Sequence, residues 1–297
     1  MQSDAYLDLE AERAKARKLA ARAPDLTFEE LIDYYYSITD DVPAELAAVY
    51  KRSIVNGPEH LADLARDIDA STDGTVLDVG CGSGSLLLAL AKRNRRAVGM
   101  DIALRWLVIC RKRLTEEGVD YPLVCGDILL HPLAEQSVSG AACIDLLEHT
   151  QDMNAAVRRI RGVLRPGGRA WFTVSNRYTL GPHAATRLWG IGFLPKRLAG
   201  RVCRALRGVD SLRHIWLTTP REVAKMLDRT GFSVTSIRPR RVAAAVRSQH
   251  RGVERLLIRL YRQLCRWSIS RRLLIWIGPV AEIEAQVSMT HERIAPS

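Results

Sequence analysis

The chain changes texture near residue 73. Before it, apolar positions recur at helical spacing: Leu31, Tyr34, Tyr35 and Ile38, then Leu61, Leu64 and Ile68. That spacing predicts amphipathic helices. Thr27-Phe28-Glu29-Glu30 has the form of a capping box, with the Thr27 hydroxyl placed to accept from a free amide and Glu30 to reciprocate. Pro43 and Pro58 each open a further helix, the latter running through Ile68, and Ser71-Thr72-Asp73-Gly74 breaks it. Residues 1–72 therefore read as a helical region, a lid or substrate cover. From Thr75 onward, short apolar runs alternate with helical patterns. The runs are Thr75–Val79, Ala97–Met100, Tyr121–Cys125, Gly140–Ile144, Arg169–Val174 and Ser233–Ile237, with helices near 83–93, 104–117, 152–164 and 220–230. Thr219 and Glu222 form a second capping box around Pro220, and Gly231 ends that helix. Alternation of this kind predicts an α/β fold with a parallel sheet covered on both faces.

One segment departs from the alternation. Between Val253 and Trp267 the apolar positions include 253, 256, 257, 260, 261, 264 and 267, while arginines stand at 251, 255, 259, 262 and 266. A single helix there carries an apolar stripe beside an arginine face. It is followed by Arg271-Arg272-Leu273-Leu274-Ile275-Trp276-Ile277. Three readings fit: a helix packed on the domain with its arginines reaching to water, a dimer interface, or an interfacial helix on an anionic membrane with Trp267 and Trp276 at headgroup depth.

Charge sharpens this picture. The net charge is +11, yet residues 187–272 hold 21 Lys or Arg against four acids, so the remainder is net acidic. A regional excess of arginine expects an anionic partner: lipid surface, phosphorylated substrate or nucleic acid. A solvated surface is the plainer alternative. No apolar run is long enough to predict a membrane span. The six cysteines stand singly, at 81, 110, 125, 143, 203 and 265, without metal-ligand spacing, and the N-terminal stretch is charged. These features predict reduced thiols, no metal, no secretory signal and a cytoplasmic location, peripheral to the inner face of the membrane if the basic helix binds lipid.

The chemistry is densest at Val76-Leu77-Asp78-Val79-Gly80-Cys81-Gly82-Ser83-Gly84, a strand running through a glycine-rich turn into a helix. Glycines admit a ligand where a Cβ would collide, and the helix beyond offers free amides. A dinucleotide fingerprint would place a third glycine where Ser85 stands, and Asp78 would repel a pyrophosphate but suit a cationic ligand. Asp101 closes the second strand, where an acid can accept from ribose hydroxyls; Asp127 follows the third and Asp145 the fourth. Three successive strands ending in acids at one sheet edge predict a ligand site there.

Together these motifs resemble the class I S-adenosylmethionine-dependent methyltransferases, continuously over residues 74–177 and again over 219–239. VLDVGCGSG resembles the family's first motif, GDI its adenine contact, DLLEH its fourth-strand segment and LRPGGRAWFTVSNR its fifth-strand entry. EHTQD and SNRYTLGPH add a likeness to small-molecule O-methyltransferases of the ubiquinone-biosynthesis kind. The resemblance implies a doubly wound seven-stranded sheet in order 3-2-1-4-5-7-6 with the last strand antiparallel, for which Glu282–Val287 is the candidate. It places the domain at 73–290, with inserts at about 181–214 and 243–278. The implied cofactor is S-adenosylmethionine, leaving as S-adenosylhomocysteine and held by Asp78, Gly80, Cys81, Gly82, Ser83, Gly84, Asp101, Ile102, Asp127, Ile128, Asp145 and Leu146.

Methyl transfer to a hydroxyl calls for alignment and for a base near neutrality, and histidine is the common choice. His149, just past the fourth strand, and His183, past the fifth, are the catalytic candidates. Asn176, Arg177, Tyr178 and Tyr35 are the expected acceptor contacts, the acceptor being a small molecule or a lipid-linked one. His131 reads as structural, His60, His250 and His291 as surface residues, and His214 is left undecided. Two alternatives compete: an RNA-modifying methyltransferase using the basic C-terminal half, and a non-catalytic cofactor-binding scaffold. Asp145-Leu146-Leu147-Glu148 is not the segment that grips a flipped base, which argues against nucleic acid, and the full motif set argues against a scaffold.

Overall fold

Alternation along the fifth strand explains how the molecule is layered. Trp171 and Phe172 are both buried, yet they point to opposite faces of the sheet and join different cores. The computed structural model describes residues 8–39, 42, 44–130, 133–183, 186–208, 212, 215–242 and 252–288. Pro43, His131, His214, His250, His291 and Arg251 lie outside the described residues. So do 1–7, 243–250 of the second insert and the end of the expected domain at 289–290, and the side chains of Val253 and Arg255 are likewise not described.

The strands are β1 (Val76–Val79), β2 (Ala97–Asp101), β3 (Leu123–Cys125), β4 (Val138–Cys143), β5 (Leu164–Ser175), β6 (Phe232–Pro239) and β7 (Val280–Val287). They form one sheet in the expected order β3-β2-β1-β4-β5-β7-β6, with β7 antiparallel to both neighbours. Helices α1 (Leu9–Arg22), α2 (Phe28–Ser37), α3 (Ala44–Val55), α4 (Gly57–His60) and α5 (Ala62–Ser71) precede the sheet. The helix expected from Pro58 through Ile68 is thus two, α4 and α5, which meet at Leu61. Helices α6 (Ser85–Ala91), α7 (Leu104–Glu116), α8 (Met153–Val163), α9 (Lys196–Arg207) and α10 (Pro220–Arg229) follow, and α11 (Gly252–Leu264) and α12 (Ser268–Ile277) fill the insert before β7. Both predicted capping boxes form, at Thr27–Glu30 and Thr219–Glu222.

Leu77, Val79, Val157, Ile160, Phe172 and Leu227 build the core on the α8 and α10 face. Val76, Leu87, Leu90, Leu107, Trp171 and Ile68 build the other. Helix α7 is apolar on two sides. Leu107 and Leu114 face the sheet, whereas Ile109 and Trp106 face outward and receive Leu19, Leu31, Ile32 and Tyr35 from α1 and α2. Tyr35, expected at the acceptor site, is therefore a core residue: 2% exposed, with its ring 5.0 Å from that of Trp106. Its helical spacing reports packing, which explains the misplacement.

Strand ends also differ from expectation. Strand β4 stops at Cys143 because Asp145, at φ +52°, turns the chain out of the sheet. Strand β5 begins at Leu164 rather than Arg169, its ladder to β4 shifting register between Val138 and Gly140.

Candidate active site

The cleft opens at the carboxyl edge of β1. Asp78, Gly80, Cys81, Gly82 and Ser83 form its floor, Ser53, Ile54 and His60 reach over it from α3 and α4, and Asp145 and Arg240 close one side. The turn between β1 and α6 needs glycine. Gly80, Gly82 and Gly84 all have φ between +49° and +77°, the left-handed region that other residues resist. A Cβ on Gly80 would lie 2.8 Å from Leu146 Cδ1, and one on Gly84 2.6 Å from Cys110 Sγ. Among the described residues, and apart from its two chain neighbours, no atom lies within 4 Å of a Cβ built on Gly82. The outer two glycines serve packing, and the middle one faces open space.

Asp101 holds this loop in place. Its Oδ2 accepts from the Gly82 amide at 2.9 Å and its Oδ1 from the Ala103 amide at 2.8 Å. A carboxylate has about four acceptor positions, so two remain for ligand hydroxyls. Burial raises its pKa against the pull of those two amides. Beside it, buried Glu12 of α1 accepts from the Arg105 amide at 2.8 Å and pairs with the Arg105 guanidinium, fixing the start of α7. Asp127 accepts from the Leu129 amide at 2.9 Å, which shapes the turn after β3 and buries Ile128 in the core. Ile102 follows Asp101 at the same edge, half-buried.

Asp78 is the unusual group. It is 1% exposed, and among the described residues its Oδ1 has no hydrogen-bond donor. Burial, then the nearby Asp101 charge, pushes its pKa up to about 8. A buried carboxylate oxygen without a donor, on the floor of an open cleft, fits a ligand that brings a cation or N–H groups. Cys81 offers no nucleophile: its contact with Cys110 and its burial hold the thiol well above its usual pKa.

Past β4, Asp145 exchanges hydrogen bonds with Thr173 Oγ1 at 2.7 and 2.8 Å and lies 3.4 Å from Arg240 Nη1. His149 ends the short turn Leu147–His149, half-buried, and burial lowers its pKa despite the Asp145 charge. Its imidazole is neutral at pH 7 and so can accept a proton. Glu148 was not singled out by the sequence. It is buried, accepts from Ser175 Oγ at 2.8 Å, and burial together with Asp145 pushes its pKa up to about 7.

The fifth-strand candidates divide. Asn176 is 1% exposed, its Nδ2 donating to Trp276 O at 2.7 Å and Gly278 O at 3.1 Å while its Oδ1 accepts from the Tyr178 amide. The amide is committed to joining β5 to α12, which leaves it no group for an acceptor. Arg177 Nε donates to Gly192 O at 2.9 Å, and Tyr178 is partly exposed with its ring 5.3 Å from that of Phe193. His183 is 1% exposed inside the turn closed by its backbone bonds to Leu188 and Arg187, and burial lowers its pKa. An acceptor cannot reach it in this conformation. His60, read as a surface residue, instead lines the cleft.

A family model described as a methyltransferase domain matches residues 77–172, the segment that carries the glycine loop, Asp101, Asp127 and Asp145. Over that segment the chain is similar to methyltransferase domains. A ubiquinone biosynthesis O-methyltransferase from Idiomarina loihiensis is 36% identical over 140 residues, covering 43% of this chain and 56% of the relative. The chain thus spans little more than half the length of that relative. Among solved structures, the geranyl diphosphate C-methyltransferase from Streptomyces coelicolor, solved with S-adenosylhomocysteine, is similar with a TM-score of 0.50 and 17% identity, covering 76% of this chain and 74% of that one. The [4+2]-cyclase SpnF is similar with a TM-score of 0.51 and 18% identity, covering 78% and 81%. At such identity the structures speak for the fold alone. The residues present would fit S-adenosylmethionine: Asp78 would suit its ammonium, Asp101 its hydroxyls and the open space over Gly82 its close approach.

Proposed function

We propose that this chain is an S-adenosylmethionine-dependent methyltransferase acting on a hydroxyl oxygen of a small acceptor, one linked to or dissolved in lipid. The observation that carries this reading is the orphaned Asp78 carboxylate beside the glycine loop, and it is supported by neutral His149, which stands near Asp145 at the side of the cleft. Likeness to the ubiquinone O-methyltransferase supports oxygen as the methylated atom. When bound, S-adenosylmethionine supplies an electrophilic methyl on a sulfonium centre. Asp78, ionised by the ligand's cation, and Asp101 fix its two ends, and proximity of this kind can supply ~7–11 kcal/mol of a barrier. His149 takes the hydroxyl proton on an imidazole nitrogen as the oxygen attacks, and Asp145 steadies the imidazolium that results.

The apolar side of the second insert supports a lipid setting. Leu256, Leu257, Leu260, Trp267, Ile269, Leu273 and Trp276 are each half or more exposed. Leu256, Leu257 and Leu260 of α11 therefore face outward instead of packing on the domain, as an interfacial helix on an anionic membrane at the cytoplasmic face requires. No helix among the described residues is long and apolar enough to cross a membrane.

The test is labelled-methyl transfer from S-adenosylmethionine into a fractionated cell extract, with mass spectrometry of the product. A new methyl ether in the lipid fraction, lost in His149→Ala, is expected. Label appearing only on amines, thiols or RNA would overturn the reading.

A further inference from the structure

Arg240 and Arg241 are consecutive, and they face different cavities. Arg240 lines the methyl-transfer cleft, whereas Arg241 lines a second cavity together with Asp63 of α5 and with Arg259, Arg262 and Arg266 of α11. The helix is anchored there by Tyr261, whose hydroxyl donates to Arg240 O at 3.0 Å. Four arginines thus line one cavity, Arg259 and Arg266 being exposed to solvent.

The charge in this cavity is not balanced from within. Asp63 pairs with Arg66, and Asp67 is shared by Arg241 and Arg238. The guanidiniums of Arg259, Arg262 and Arg266 have no ion pair or side-chain hydrogen bond among the described residues. Like charges gathered around one cavity repel, so the arrangement is stable when an anion sits among them. Guanidinium forks suit the tetrahedral oxygens of a phosphate and can bind them in pairs.

We propose that the cavity formed by Arg241, Arg259, Arg262 and Arg266 is a phosphate-binding site. Its ligand is a phosphate ester or diphosphate, carried by a phospholipid headgroup or by a soluble phosphorylated compound. The site stands beside the methyl-transfer cleft, separated from it by the Arg240–Arg241 peptide, and it does not depend on the reaction assigned to that cleft.

Calorimetric titration with inorganic pyrophosphate, and sedimentation with phosphatidylglycerol or phosphatidylcholine vesicles, test it on the full chain. Three proteins are compared: wild type, Arg259→Gln/Arg262→Gln/Arg266→Gln, and an equal-charge control, Arg158→Gln/Arg159→Gln/Arg197→Gln, on exposed positions of α8 and α9. Pyrophosphate binding weakened about tenfold or more in the cavity variant and unchanged in the control is expected, which makes a phosphate group alone sufficient. Loss confined to the cavity variant in the phosphatidylglycerol arm, without pyrophosphate binding, also upholds the site and assigns it to a headgroup. Equal loss in both variants, loss in neither, or no binding of any probe by wild type overturns the proposal. Thermal melting checks that the cavity variant folds, and if it does not, Arg262→Gln and Arg266→Gln singly carry the same comparison. Failure here leaves labelled-methyl transfer untouched.

Discussion

Asp78 gives the cleft its most quantitative test. In the ligand-free protein burial pushes its pKa from 3.8 up to about 8, so at pH 7 the carboxyl is mostly protonated. The ammonium group of the cofactor favours the ionised form, and binding therefore expels a proton. With a free pKa near 8 and a normal one in the complex, roughly 0.9 proton leaves at pH 7. The ionised fraction grows from roughly 1% at pH 6 to about half at pH 8, so affinity should rise about 50-fold, or ~2.3 kcal/mol, and then level off. Calorimetric titration of S-adenosylhomocysteine between pH 6 and 8.5, in buffers of contrasting ionisation enthalpy, reads both quantities. Asp78→Asn should bind weakly at every pH and release no proton. If wild-type affinity is flat between pH 6 and 8, or the Asn variant keeps the slope, the assignment of Asp78 to the ligand's cation is wrong.

Three further outcomes follow from the same geometry. His149→Ala should lower kcat by ~10²–10⁴ with cofactor affinity intact, whereas His183→Ala, at a buried site, should lower the melting temperature more than turnover; steady-state kinetics beside calorimetry separates them. Gly84→Ala should destabilise the fold more than Gly82→Ala, since both sit at positive φ, costing about 1–2 kcal/mol, but only at Gly84 does the Cβ strike a buried sulfur; S-adenosylhomocysteine affinity should suffer most in Gly82→Ala. Glu148 has its pKa raised from 4.5 to about 7 by burial first and Asp145 second, so the native state holds its proton more tightly than the unfolded chain and stability falls as pH rises through that window. Glu148→Gln, which can still accept from Ser175, should remove that fall and gain on the order of 3 kcal/mol at pH 8, measured by denaturant titration at pH 5 and 8.

What could be read from the sequence was what is local. Strand–glycine turn–helix, the acids at successive strand ends and the two capping boxes all lie within short windows, and each constrains its own backbone. Arg240 could not be found this way: it meets Asp145 across 95 positions, and no spacing links them. Tyr35 and the leucines of α11 fail for a different reason. Helical periodicity shows that two faces differ, but not which one packs. Tyr35 lies in an apolar interface because α7 is apolar on two sides, and Leu256, Leu257 and Leu260 of α11 stay outside while Tyr261 packs inward against Arg240. Glu148 stood in the motif, but its near-neutral carboxyl depends on burial, which sequence does not report.

The N-terminal helices, finally, are bound into the site rather than laid over it. Gly57 of α4 lies so near α6 that a Cβ there would stand 2.0 Å from Ser85 Oγ. That hydroxyl accepts from Arg113 Nη1 at 2.8 Å, while Arg113 Nη2 donates to Ile54 O at the end of α3. The guanidinium lies 4.0 Å from the centre of the Phe28 ring, and burial brings its pKa down to about 10 without removing its charge at pH 7. One buried arginine thus joins α2, α3 and α7 to the first turn of α6, the helix that the glycine loop opens. Removing a partner from a buried, hydrogen-bonded charge costs about 3–5 kcal/mol, so the helical cover and the loop are held as one unit. Ser53, Ile54 and His60 consequently line the same cleft as Gly82 on helices tied to the glycine loop. In the proposed function, helices fastened in this way shape the cofactor cleft, and the acceptor approaches from the side of Asp145 and Arg240.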